Sequence, residues 1–181
     1  LVRAVYGVWD HIKNGGDHGA ANFDLIWVGM LPGVRESRRI ICDYMLNEND
    51  VLHNHRFPDT VAYGGWHIDN HVPGGLYTAD KVPSFVYEFR GSYDIPYRSY
   101  LVKGKTNLYA GGRCMGASKL GMASSRVMGT CAIGGQAIGT AAALCLKGDG
   151  DIRHVDVEAL QQTLLRDDCY LPLHENTDPL D

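Results

Sequence analysis

Two runs decide the fold: Leu108-Tyr109-Ala110-Gly111-Gly112-Arg113, and Thr130-Cys131-Ala132-Ile133-Gly134-Gly135-Gln136-Ala137-Ile138-Gly139-Thr140-Ala141-Ala142. The first reads as a short buried strand that runs straight into glycines, where the missing Cβ lets a backbone approach a ligand closely. The second reads as a long helix, roughly Thr130 to Leu146, rich in alanine and glycine. The N-terminus of such a helix offers unpaired N–H groups and a partial positive charge, which suit a phosphate or the electron-rich edge of a reduced flavin. On composition alone, the same small residues serve equally well for tight helix packing.

Outward from this unit, Lys147-Gly148-Asp149-Gly150 ends the long helix, with Gly148 expected at its C-cap. Asp156 caps a last helix through Leu165, whose inner face carries Val157, Leu160, Leu164 and Leu165. Upstream, Val2 to Lys13 spaces Val5, Val8, Trp9 and Ile12 as one face of a helix, and Gly15 or Gly16 is available to close it. Leu25 to Leu31 and Tyr97 to Val102 read as strands. Ser84 to Phe89 alternates as a half-exposed strand, and Asn47 to Asp50 opens a short helix.

The composition bounds the function. With 45% hydrophobic and 21% charged residues, the 181-residue chain has the makings of a packed core. A net charge of -4, without a basic stripe, excludes a nucleic-acid partner. The apolar run from Cys131 to Leu146 is broken by glycines, so no membrane span is expected. Five scattered cysteines without CxxC spacing argue against a disulfide framework or a zinc site, and no metal is expected. They leave the compartment open between cytoplasm and periplasm. The chain opens with Leu1 inside an amphipathic helix, and is therefore expected to be the C-terminal piece of something longer.

Taken in order, further motifs join the central pair: Pro32-Gly33-Val34-Arg35-Glu36-Ser37-Arg38-Arg39-Ile40, Ala62-Tyr63-Gly64-Gly65-Trp66, Tyr93-Asp94-Ile95-Pro96-Tyr97-Arg98 and Arg126-Val127-Met128-Gly129-Thr130-Cys131. This succession resembles the FAD-dependent oxidoreductases of the glutathione-reductase-like Rossmann type, in their bacterial branch, over nearly the whole chain. The resemblance implies an α/β fold: the C-terminal portion of a two-domain FAD-binding flavoprotein, with part of a mixed or antiparallel substrate lobe. Residues 1–100 would form the lobe portion and residues 101–181 the C-terminal share of the FAD-binding domain. It also implies FAD as cofactor. Gly111, Gly112 and Arg113 would contact the ribityl–pyrophosphate region, and Thr130, Cys131, Gly135 and Gln136 would lie near the isoalloxazine. Arg126 would neutralise phosphate or hold the loop.

The chain departs from the family by its double glycine before Arg113, and by Gly129 where proline is frequent. A larger departure is the glycine fingerprint. Its only candidate, Gly134-Gly135-x-x-x-Gly139, falls inside a helix pattern with the wrong spacing. The adenosine half of the site is therefore expected from an N-terminal segment or partner chain.

The substrate side is expected between Pro32 and Tyr97, where Trp66-His67-x-Asp69-x-His71 is the densest polar group. On a strand, His67, Asp69 and His71 share one face. They suit a base oriented by a carboxylate, structural hydrogen bonding or, with a poor geometric fit, a metal. Arg35 reads as an anion contact or as part of an ion-pair network with Glu36. Tyr97 reads as a pocket wall or as core. The expected activity is hydride transfer from a small organic substrate to flavin N5. The alternatives are a non-catalytic subunit or remnant that associates with an FAD-binding partner, and a self-contained small-molecule binding domain.

Overall fold

The computed structural model describes residues 1–31, 33 and 38–174. Five α-helices and four strands are formed among them: α1 (Val2–Asn14), α2 (Glu48–Leu52), β1 (Thr60–Gly64), β2 (Ile68–His71), β3 (Ser84–Tyr87), β4 (Tyr93–Pro96), α3 (Lys119–Ser125), α4 (Met128–Cys145) and α5 (Val157–Arg166). The chain is thus a mixed α/β structure. Its strands pair antiparallel in twos, β1 with β4 and β2 with β3.

The core forms around β1 and β4, where Ala62 faces Ile95 and Gly64 faces Tyr93. Val61, Ala62, Tyr93 and Ile95 are fully buried, as short apolar strands covered on both sides must be. α4 covers one side through Thr130, Gly134, Ala137, Ala141 and Cys145, its buried residues. Gly134 is required there: a Cβ would stand 2.4 Å from the Tyr100 hydroxyl oxygen. By length and composition α4 is apolar enough to cross a membrane. Its glycines break the run but leave the average high enough for a span, and its buried stripe is spent on the core.

α5 is tied to the same strand by Gln161, whose Nε2 donates to the Pro58 and Thr60 carbonyls at 2.9 Å each. Asp156 caps it as expected, accepting from the Ala159 N–H. Asn47 opens α2, accepting from the Asn49 N–H, while the Asp50 carboxylate accepts from the Asn47 N–H. α3, a helix absent from the sequence reading, starts at Ser118, whose hydroxyl accepts from the Gly121 N–H at 3.0 Å.

Several expected elements differ. Leu25 to Leu31 is no strand; with no partner to complete a ladder, Ile26, Trp27, Met30 and Leu31 stand exposed. Tyr97 to Val102 winds into a 3₁₀ turn at Tyr97–Ser99, and then makes single bridges from Leu101 to Tyr109 and from Val102 to Cys42. Tyr109 bridges only once, and Leu108 is half exposed, so the segment before Gly111 is a bridge rather than a buried strand. α4 begins at Met128 and ends before Leu146, without Gly148 as its cap. α1 forms as read, but buries none of its residues. Gly16, at φ +83°, makes the left-handed turn after it.

The core is rich in tyrosine. Burial raises the hydroxyl pKa of Tyr93, Tyr97 and Tyr100. Tyr44 is pushed up to about 12, by burial first and then by its hydrogen bond to Asp50. Each holds its proton more tightly when folded, so this contribution to stability is complete below the unfolded pKa, about 10, and is lost as pH rises through the folded values. Phenolate absorbance should therefore show these tyrosines ionising together with alkaline unfolding, above the pH at which exposed tyrosines titrate. Ionisation of every tyrosine near pH 10 with the fold intact would contradict the burial.

Candidate functional site

Asp69 and His71 lie on the same face of β2, two residues apart, and meet: His71 Nε2 is 3.0 Å from Asp69 Oδ2. Arg126, at the C-cap of α3, reaches the same carboxylate at 3.2 Å and donates to the Asp69 carbonyl at 3.1 Å. Its side chain is 11% exposed, against 25% for Asp69 and 44% for His71. The gradient runs from an anchored arginine to a histidine open to solvent. A carboxylate only accepts, so this contact favours the tautomer with its hydrogen on Nε2, which turns the Nδ1 lone pair away from Asp69.

These three residues line a cavity of about 320 Å³, together with Lys119, Ala123 and Asn70. Lys119 is the first residue of α3. The Asn70 side-chain oxygen is buried with no hydrogen-bond partner among the described residues. A buried acceptor left open beside a cavity costs free energy until something donates to it.

The other expected substrate-side residues are placed differently. His67 precedes β2, stacks against Trp66 with ring centroids 4.5 Å apart, and has its Nδ1 3.9 Å from the Glu88 carboxylate. Trp66 is half exposed, and its carbonyl accepts from Ser124. The Tyr97 hydroxyl is satisfied inside the core, 2.6 Å from the Tyr109 hydroxyl and 2.7 Å from the Ile152 carbonyl, which answers to the core reading. Arg35 lies outside the described residues.

A second grouping surrounds the start of α4. Gly111 sits directly on this helix, since a Cβ there would stand 2.5 Å from Ile138 Cδ1. Gly112, at φ +58°, turns the chain in a way that L side chains resist. Arg113, which follows, is exposed and close enough to Cys131 to lower its thiol pKa, although burial dominates and raises it. No side chain caps the N-terminus of α4. Thr130 faces the core, whereas Gly129, Gly135, Gln136 and Gly139 are exposed. A Cβ on any of these three glycines would meet nothing within 4 Å. The outer side of α4 is therefore a smooth, open surface with Arg113 near its beginning. An uncapped helix start beside a cation suits an anionic group. Arg126, expected to neutralise phosphate or hold the loop, is tied to Asp69.

Lys119 and Asn70 were missed in the sequence. Asn70 sits inside the quoted His-Asp-His stretch, and Lys119 directly follows Ser118, a helix-capping residue type that could have signalled α3.

A family model described as FAD dependent oxidoreductase matches residues 1–164. Searches of curated proteins and of solved structures return no match.

Proposed function

Because the chain belongs to the FAD dependent oxidoreductase family, we propose that it works as the C-terminal part of a flavoenzyme that oxidises a small organic substrate. Family membership makes FAD the cofactor. In this reading, residues 101–181 belong to the FAD-binding domain of a two-domain Rossmann flavoprotein, and residues 1–100 belong to its substrate lobe. The glycine fingerprint is supplied by a segment or chain outside these residues.

The observation that carries the reading is the anchored pair Asp69–His71 at a cavity. Arg113, with the N–H groups at the start of α4, would hold the pyrophosphate. Gly111, Gly112, Gly135 and Gln136 would border the ribityl chain and ring, with Cys131 beside them and Thr130 supporting the helix from below. Bound FAD supplies an electron-pair acceptor, N5, for a hydride leaving a substrate carbon.

The chain's own residues handle the proton. His71 Nδ1 takes it from the substrate hydroxyl, and Asp69 stabilises the resulting imidazolium. Arg126 holds Asp69 in place. Lys119 at the rim offers a counter-charge to a substrate carboxylate. His67 and Trp66, just before β2, would serve as substrate contacts.

The test is co-expression of the chain with the segment that bears the glycine fingerprint. The purified assembly is expected to show the flavin absorption band, and the band is expected to bleach when an oxidisable hydroxy acid is added without oxygen. A colourless assembly that binds no FAD would end this reading.

A further inference from the structure

The loop after α1 brings three side chains to one point. His11 comes from the last turn of the helix, and Asp17 and His18 come from the turn that follows. Their ligand atoms all lie within 4.8 Å of one another. His18 Nε2 is 2.9 Å from His11 Nε2 and 3.2 Å from Asp17 Oδ1.

In the absence of an ion, one ring N–H bridges the two facing imidazole nitrogens, and the Asp17 carboxylate stands beside them at ion-pair distance. With that proton gone, two ring lone pairs and a carboxylate oxygen converge on one point, the arrangement that a cation takes.

We propose that His11, Asp17 and His18 bind a divalent transition-metal ion. Two imidazoles and one carboxylate are the donor set of Zn²⁺ or Co²⁺ rather than of Mg²⁺ or Ca²⁺, which take oxygen. All three residues are exposed, so water completes the coordination. The backbone already holds the turn: Gly16 and Gly19 adopt φ +83° and +63°, and the Lys13 ammonium donates to the Ala21 carbonyl at 2.8 Å beyond it.

The expectation of no metal rested on the spacing of the cysteines and on the His67–His71 strand. His11 and His18 escaped it, because one is helical and the other belongs to a glycine turn. The ion joins the last turn of α1, which buries nothing against the core, to the loop that follows.

The test is titration of the whole protein with Co²⁺, read by visible absorption, and with Zn²⁺ against a chromophoric chelator. One ion per chain is expected. Loss of a partner that merely orients a ligand costs about 10–100-fold in affinity, so H11A and H18A should each weaken Zn²⁺ binding by at least ~100-fold, and D17N by about tenfold. H53A, which alters a histidine elsewhere, should change nothing. None of the altered side chains is buried, so the core stays folded in every variant. Zn²⁺ should also raise the helical circular dichroism of the wild type but not of H11A. The proposal is overturned if the wild type binds Zn²⁺ no more tightly than the H11A/H18A double variant, or if H53A loses as much as H11A.

Discussion

Replacing Asp94 by alanine is expected to remove about 3–5 kcal/mol of stability, the cost of breaking a buried ion pair from one side. The Asp94 side chain is fully buried between β4 and the chain entering β1. It accepts from Arg56 Nη1 at 2.6 Å, from the Thr60 hydroxyl at 2.6 Å and from the Phe57 N–H at 3.1 Å. Alanine takes this acceptor from the buried Phe57 N–H and from Arg56, and leaves the buried Thr60 hydroxyl with the Phe57 carbonyl alone. The comparison is Asp59, whose bidentate pair with Arg98 is half exposed on the arginine side. An exposed pair of that kind contributes about 0–1 kcal/mol. Urea unfolding should therefore give D94A a much lower midpoint than D59A, with D94N in between. Equal midpoints for D94A and D59A would refute the ranking.

His71→Ala is expected to slow substrate oxidation by about 10²–10⁴-fold, the usual contribution of a positioned proton acceptor. The effect should fall on the rate of flavin reduction and leave FAD binding intact, because His71 belongs to the β2 cavity and not to the surface of α4. Asp69→Asn should cost about 10–100-fold, since the imidazole survives but loses the partner that orients it. Folding is not at stake for His71, which is 44% exposed. Rapid mixing without oxygen reads the reduction rate directly. A reduction rate in H71A equal to that of the wild type would remove His71 from the chemistry.

Much of this arrangement was readable because helices announce themselves locally. α1 and α5 follow from spacing of three and four, α4 from its run of alanine and glycine, and the Asp156 cap from residue type. The strand at Leu25 was misread because apolar content does not provide a partner: Ile26 and Trp27 have the composition of a strand and nothing to pair with. Leu101 and Tyr109 failed in a related way, since they make one bridge where a ladder was expected. In the candidate site, Asp69 and His71 were found through their two-residue spacing. Arg126 was read as a phosphate contact or a loop holder, and its tie to Asp69 went unread because the two lie far apart in sequence. Only the packing of α3 on β2 unites them, and α3 itself was hidden in a run of small residues without hydrophobic period. Gly111 was singled out for ligand approach, and it proves to be close to Ile138 as well; a missing Cβ looks the same for either purpose.

α1 has a consequence for how the molecule comes apart. A thirteen-residue helix that fully buries no side chain draws little on the core for its winding, and isolated helices of about 12–15 residues are marginal in water. The arm from Val2 to the glycine turn is therefore a separate thermodynamic compartment. Heat or denaturant can unwind it while the tyrosine-lined interior keeps its amides protected, and damage to that interior leaves the arm's own equilibrium unchanged. A single melting temperature would average two events that share a chain but very little free energy.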